Sequence, residues 1–454
     1  MDYDVVIIGA GPIGLSEACF LKSLNNKLRI CVLEGRETPT RDYGISIGWD
    51  AVTAIIDVVN RAFGNLNENR DIPSLGFIKN CFRDWGYYSS VRTNQIQTEL
   101  SKKATELGVT ILKGEKYKVT TDNLSQIFDP LAAADLLSPE LQALRTSLCN
   151  AKVIVDAAGA HSPVRQKVMG SDKDNLTDVE TYAYGLEVKH EIATDSKRRP
   201  NFFHIKGYAS EAGHIVNQSI GKPKEGTNLL PVTDLLIVDE KIHTNFIKKN
   251  EKDEVIRGAP GKAWSLSELE EEAKTNPVLA NYSEKIKEQI HKTKMQCEAD
   301  MYAKTKAPEI ATIPLRVYRS KQIVNIFQDK VVISIGDSSS GLILRRGFTK
   351  GLKEAALVAE LIVNVFDKII PEALRSDGIP EEFLQYQQKA KEMYANEKWW
   401  IAQKARAINF VSLPLRYMIS PIYRFITRTL GQLVSLAIYH VTSRFKKQGA
   451  APAA

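Results

Sequence analysis

The chain opens on a compact apolar run, Val5-Val6-Ile7-Ile8, with no polar alternation. A β-branched run of this length is the pattern of a strand covered on both faces. It halts at Gly9-Ala10-Gly11-Pro12-Ile13-Gly14, and Leu15, Ala18, Cys19 and Leu21 then recur at helical spacing. A second apolar run, Leu28–Leu33, ends in Glu34. Strand, helix and strand in this order predict the opening of an α/β domain. Further on the period changes. Leu131, Ala134, Leu137, Leu141, Leu144 and Leu148 recur every three or four positions, which predicts a surface helical insertion within residues 123–150. Residues 180–247 alternate apolar and polar positions (Tyr182, Tyr184, Leu186, Val188; Leu235, Ile237, Val238) between Gly and Pro, predicting an antiparallel sheet. Residues 248–300 are charge-dense, and Ser265-x-x-Glu268 reads as a capping box opening a helix through Leu266, Leu269 and Ala273. We read this stretch as an exposed helical excursion.

From residue 407 to 445 the chain is strongly apolar with interspersed Arg. Its longest uncharged run, between Arg428 and Arg444, is 15 residues, short of the ~18–20 needed to span a bilayer. Pro414 and Pro421 interrupt it as well. The net charge of +7 belongs to this end of the chain. After Glu397 there is no acidic residue but nine Lys and Arg; 61 basic residues less nine leaves 52 against 54 acidic ones, so residues 1–397 carry −2. Two readings of the basic, apolar helical segment 396–454 stay open. One is an amphipathic helical pair in peripheral contact with an anionic membrane through residues 398–447, with Trp399 and Trp400 near its start. The other is a helical domain packed on the body or on a second subunit. Nucleic acid is not an expected partner, because the segment is too aliphatic and too poor in polar readers.

Composition narrows the rest. At ~100–200 residues per domain, 454 residues imply roughly two to four domains. With 43% apolar and 25% charged residues, wholesale disorder and a collagen-like repeat are excluded. Five scattered cysteines (Cys19, Cys31, Cys81, Cys149, Cys297) without a C-x-x-C pair argue against a disulfide framework and a cysteine-rich zinc site. None of the seven histidines stands at metal-ligand spacing, so no metal site is expected. A strand starting at residue 4 leaves no room for a removable signal peptide, and the expected location is cytoplasmic, with peripheral membrane contact under the first reading of the tail.

The glycines of the first turn each answer a physical need. Gly9 permits the tight turn, Gly11 lets the backbone approach a pyrophosphate, and Gly14 allows close helix–strand packing. Pro12 and Ile13 then open a helix whose unpaired N–H groups and dipole favour phosphate. Glu34, twenty residues after Gly14, stands where a carboxylate accepts hydrogen bonds from an adenosine ribose. An acid there favours FAD or NAD over NADP as the bound dinucleotide.

Two later segments extend the pattern: Val153-Ile154-Val155-Asp156-Ala157-Ala158-Gly159-Ala160-His161-Ser162-Pro163-Val164-Arg165, and Val331-Val332-Ile333-Ser334-Ile335-Gly336-Asp337-Ser338-Ser339 continuing to Gly347-Phe348-Thr349-Lys350-Gly351. With the opening turn they resemble the three sequence blocks of the FAD-dependent aromatic-hydroxylase superfamily, the group A flavoprotein monooxygenases. The resemblance is dispersed over residues 4–360, and the order of the blocks is its specific part. It implies a discontinuous Rossmann-like FAD-binding domain (residues 1–178 and 323–395), an α+β substrate domain built on an antiparallel sheet (179–322), and the helical tail. It also implies that Asp337, beside Gly336, serves the ribityl chain, with Gly347, Phe348 and Thr349 at the helix start facing the flavin. In the same way Ala158 and Gly159 correspond to the family's middle motif, and Arg92 to an FAD-contacting Arg. Gly35, Arg36 and Arg41, in the turn after the second strand, complete the cofactor-binding candidates. Arg345 and Arg346 stand in the loop beside the expected flavin.

The departures are specific. The family's Asp-Gly pair is Ala158-Gly159 here, and the loop after Gly336-Asp337 is about two residues shorter than usual. The flavin domain of the MICAL proteins is similar in its Gly-Asp-Ser block, in a basic residue before the second Gly (Lys350 before Gly351), and in a Lys/Arg-rich turn comparable to Glu34-Gly35-Arg36 and Thr40-Arg41. The function implied is that of an FAD-dependent oxidoreductase, namely an NAD(P)H-dependent monooxygenase inserting one oxygen atom via a flavin hydroperoxide. The alternatives are an FAD-dependent reductase or cyclase of a lipid-like substrate, and a flavin-retaining effector or binding module. The substrate is expected to be a small molecule or lipid, with a protein as the further option. The sequence singles out no catalytic acid or base.

Overall fold

The computed structural model describes residues 2–38, 44–45, 91–193, 216–220, 227–296, 299, 303, 305–342, 346–369, 374 and 378–410. In chain order the elements are β1 (Val5–Ile8), α1 (Pro12–Leu24), β2 (Ile30–Glu34), β3 (Gly44–Ile45), β4 (Val91–Arg92), α2 (Thr93–Glu106), β5 (Thr110–Lys113), α3 (Leu124–Phe128), α4 (Pro139–Cys149) and β6 (Val153–Asp156). There follow β7 (Leu176–Ala193), β8 (Val216–Ile220), β9 (Leu229–Val238), α5 (Glu240–Phe246), β10 (Lys248–Lys249), β11 (Val255–Arg257), β12 (Trp264–Ser265), α6 (Leu266–Ala273) and α7 (Pro277–Gln296). The last are β13 (Glu309–Ser320), β14 (Val324–Phe327), β15 (Lys330–Ser334), β16 (Ser340–Gly341), α8 (Arg346–Val365) and α9 (Glu381–Phe410). The chain is α/β, as expected, and divides into two compact units.

The first unit lies within Met1–Cys81, Val91–Tyr182 and Leu315–Gln403. Its six-stranded sheet has the order β14-β15-β6-β1-β2-β5, parallel except at the β14–β15 hairpin. Val5, Val6 and Ile7 are fully buried, which explains the uninterrupted apolar run, and each such side chain contributes about 1.5–3 kcal/mol. Register pairs Ile8 with Leu33 on one side and with Asp156 on the other, while Asp156 pairs with Ser334. The carboxyl ends of β1, β2, β6 and β15 are therefore level. In open parallel sheets ligands bind outside that edge.

The insertion is helical, as its spacing predicts, though not one unbroken helix. It forms two separate helices, α3 and α4, because Pro130 and Pro139 cannot continue a helix. Pro139 occupies the first turn of α4, and the Ser138 hydroxyl accepts from Leu141 N at 3.2 Å as its cap. Nor does it lie on the surface: Leu124, Ile127, Phe128, Leu141 and Leu148 pack with Val6, Ile8, Cys31 and Leu33 of the sheet. Leu131, counted in the periodic face, is 93% exposed in the linking turn.

The second unit lies chiefly within Ala183–Pro314. Its sheet order is β12-β13-β7-β9-β8, and β7 pairs antiparallel with β9 from Tyr184–Val238 to Ala193–Leu229. The antiparallel sheet is the one the alternation predicted. Along β9, Leu230, Val232, Asp234, Leu236 and Val238 turn inward at every second residue. The capping box forms with both of its bonds, Ser265 N to Glu268 Oε2 at 2.9 Å and Glu268 N to Ser265 Oγ at 3.2 Å. The charge-dense stretch is nevertheless not an excursion. Leu269, Leu279, Tyr282 and Ile286 of α6 and α7 bury against Leu186, Val188, Leu236 and Val238. Its charges keep to the outer face, where Lys287 bridges Glu270 and Glu284.

Among the described residues no helix is long and apolar enough to cross a membrane. Trp399 is 56% exposed. The side chain of Trp400 and residues 411–454, which carry most of the apolar tail, lie outside the description.

Candidate functional site

The turn between β1 and α1 shows why it needs its glycines. Gly9 has φ +106°, and a Cβ there would stand 2.5 Å from the Ala157 carbonyl oxygen. A Cβ on Gly14 would stand 2.1 Å from the Gly9 carbonyl oxygen. Gly11 is the opposite case: nothing lies within 4 Å of where its Cβ would be, so its face is open. Gly11 is the N-cap of α1 and Pro12 follows; no side chain caps the helix. The first-turn N–H groups therefore point out of an open, glycine-faced mouth, the arrangement that receives phosphate. Gln97 of α2 braces the turn by donating to the Ala10 carbonyl at 2.5 Å.

Glu34 closes β2, buried, and reaches back to the same turn. Its carboxylate accepts from Ala10 N at 3.0 Å, from Arg36 N at 3.1 Å and from Arg36 Nε at 2.8 Å. A narrow cleft lined by Glu34, Arg36, Glu37, Thr38, Gln97 and Lys113 runs beside it. The Arg36 side chain is about half exposed, so exchanging its bond for a sugar hydroxyl costs little. Gly35 is required by Lys118, whose Cγ would lie 2.8 Å from a Cβ at that position.

At the end of β6, Asp156 organises the middle and late blocks. It is fully buried and accepts from Ser162 Oγ at 2.7 Å, Ser334 Oγ at 3.0 Å, Ala158 N at 3.2 Å and Ser338 Oγ at 3.2 Å. Burial raises its pKa, and the bonds from Ser162, Ala158 and Ser334 oppose the rise. Ser338 Oγ also accepts from Gly159 N at 2.8 Å, tying the two blocks together. Arg165 is wholly buried: it bonds Asp172 Oδ1 at 2.7 Å and reaches the carbonyls of Ala160 (2.5 Å) and Ser338 (3.2 Å). Its guanidinium thus holds the protein together. Tyr318 donates to the Asp337 carbonyl at 2.8 Å, and burial, with Asp337 close by, pushes its hydroxyl pKa up.

The late turn is set by close packing. Gly336 has φ +62°, with Ile13 at 3.3 Å from a would-be Cβ; a Cβ on Gly351 would meet Ile13 Cδ1 at 2.8 Å. The start of α8 therefore closes onto the β1–α1 glycine turn through Ile13. Gly347 lies beside the Asp337 carboxylate, at 3.2 Å from its would-be Cβ. Thr349 is buried and Phe348 half-buried. Of the sequence candidates, Gly9, Gly11, Pro12, Ile13, Gly14, Glu34, Gly35, Arg36, Ala158, Gly159, Gly336, Asp337, Gly347, Phe348 and Thr349 fall along this one edge of the sheet. Arg92 is in β4, paired with Gly44, but its side chain lies outside the described residues, as do Arg41, Arg345 and the side chain of Arg346. His161 is exposed.

Sequence reasoning missed Asp156 as a hub, although a lone acid ending an apolar strand is a visible signal. It also missed Glu17, which is fully buried on α1 with neither carboxylate oxygen hydrogen-bonded. Burial alone drives its pKa well above the usual carboxylate range. The native state then holds this proton more tightly than the unfolded chain does. Stability from Glu17 is full below the unfolded carboxylate pKa and is lost as pH rises toward the native one. Glu17→Gln is expected to gain roughly 2–4 °C in Tm over the parent at about pH 8, and little at about pH 4. Thermal unfolding of both proteins across that range is the check; a gap that does not change with pH would refute it.

No family model matches the chain, and no curated relative matches it. Solved structures do. The halogenase PltM aligns at TM-score 0.50 and 13% identity, over 90% of this chain and 77% of that one. The flavin-dependent brominase Bmp2 gives TM-score 0.46 at 14% identity over 99% and 100% of the chains. OxyS anhydrotetracycline hydroxylase from Streptomyces rimosus gives TM-score 0.45 at 13% over 96% and 74%. The chain thus has the fold of the halogenase PltM.

Proposed function

We propose that this chain is an FAD-dependent oxidoreductase acting as an NAD(P)H-dependent monooxygenase. One observation carries the reading: an open helix mouth at Gly11, a buried carboxylate at Glu34 and the Gly336–Asp337 turn converge on the carboxyl edge of one parallel sheet. The residues fit an FAD. The N–H groups after Gly11 would take its phosphates, Glu34 an adenosine ribose, and Asp337 the ribityl hydroxyls. Bound there, a flavin supplies the two-electron and oxygen chemistry. The protein's part is to orient it, to exclude water, and to hold fixed charge behind the late turn. A small molecule or lipid is the substrate class we favour, with a protein as the alternative.

A second reading is a flavin-retaining binding module, favoured by Ala158 standing where the resembling family has Asp. Purified protein is expected to be yellow, or to take up one FAD, and to oxidise NAD(P)H under oxygen faster when substrate is added. A bound flavin that stays oxidised under NAD(P)H decides for the module. A reductase would turn over without oxygen. Folded, colourless protein that takes up no FAD overturns both readings. The membrane reading of the tail rests on composition; equal flotation with anionic liposomes of the full chain and of a chain ending near residue 396 would remove it.

A further inference from the structure

Behind the Gly336–Asp337 turn lies a charged cluster that none of the cofactor candidates explains. Lys350 and Glu354, one turn apart on α8, form an ion pair that is almost completely buried. Glu354 Oε2 accepts from the backbone N–H of Gly336 at 2.8 Å, and the Ser339 hydroxyl donates to Glu354 at 2.9 Å. Lys350 Nζ donates to Ser339 Oγ at 3.1 Å. Both ends of the four-residue turn are thereby anchored on one helix.

A buried ion pair is a poor source of stability, because desolvation offsets the attraction. What it provides is direction: a carboxylate with three donors fixes each of them. Gly336 needs that help, since it sits at φ +62° with Ile13 packed against it. Turning its amide away would swing the next residue, Asp337. Glycine at 347 leaves room for the Asp337 carboxylate, and the Glu354 clamp holds the backbone of the turn from behind.

We propose that Glu354, paired with Lys350, is a positioning residue for the cofactor: it holds the Gly336 amide so that the Asp337 carboxylate is set to receive the ribityl hydroxyls. This deepens the flavin reading and rests on it for the ligand, but not for the clamp itself. The role belongs to the hydrogen-bond acceptor at Gly336, and the Lys350 ammonium bonded to that acceptor keeps it in place.

The test uses the full chain, FAD titration by flavin fluorescence, and deuterium exchange of the peptide covering residues 330–342 without FAD. The double variant Glu354→Met with Lys350→Met removes pair and acceptor together. It should weaken FAD binding by about tenfold or more and speed exchange in that peptide. The double variant Glu354→Gln with Lys350→Met keeps a neutral acceptor, and should bind FAD within about threefold of the parent. Ser339→Ala, a mild change that does not threaten folding, should fall between them. Parent-like FAD affinity and exchange in the Met/Met variant overturn the proposal, as does an equal loss in the Gln/Met variant. If the Met/Met protein does not fold, unchanged affinity and exchange in Ser339→Ala overturn it. A parent protein that binds no FAD refutes the flavin reading, and the exchange data then judge the clamp alone.

Discussion

Gly14→Ala is expected to strip the protein of FAD and to lower its stability together. The added Cβ would lie 2.1 Å from the Gly9 carbonyl oxygen and 3.1 Å from the Ala157 Cβ. The first of these is backbone inside the turn, so no rotamer change relieves the clash. α1 must move off β1, carrying the phosphate-facing amides with it. Overpacking of this kind costs about 1–3 kcal/mol, and FAD should bind about a hundredfold more weakly or worse. Gly11→Ala is the contrasting control. Nothing stands near its Cβ, so Tm should be unchanged while FAD binding is lost to the methyl group on the open face. Flavin fluorescence titration and thermal unfolding read both outcomes. If Gly11→Ala binds FAD as the parent does, the mouth of α1 is not the phosphate site.

The second large effect is expected at Asp156. Asp156→Ala leaves three hydroxyls and the Ala158 amide without their common acceptor in a fully buried position. The loss should be about 3–5 kcal/mol, the range for breaking a buried charged network. Asp156→Asn keeps the shape but puts an NH₂ against hydroxyls that donate, and should recover only part of this. Chemical denaturation is the measurement. A loss under about 1 kcal/mol for the Ala variant would show that the serines find other partners.

What the sequence disclosed was local. The strand–glycine–helix–strand–acid order was readable because each position answers a need set within about thirty residues: φ at Gly9, contact at Gly14, and an acceptor at Glu34. Sheet alternation in β7 and β9 was readable because one face is buried at every second residue. The insertion was read rightly as helical and wrongly as superficial, because spacing marks an apolar face without showing that it packs on the sheet. The packing of α6 and α7 was misread because charge on an outer face hides the apolar stripe beneath it. Buried charge was the hardest to see. Asp156, Arg165, Lys350 and Glu354 look like surface residues in sequence, and only partners up to 182 residues away reveal them as interior.

That separation also bears on the order of events in folding. The strand that completes this edge of the sheet, β15, follows the Ala183–Pro314 segment of the second unit in the chain, and Ser338 meets Asp156 across 182 residues. A nascent chain emerging N-terminus first can build β1, α1 and β2 early, yet it has no receptacle for the cofactor until the last third arrives. Capture of the dinucleotide would then report that synthesis and docking of that last third are complete.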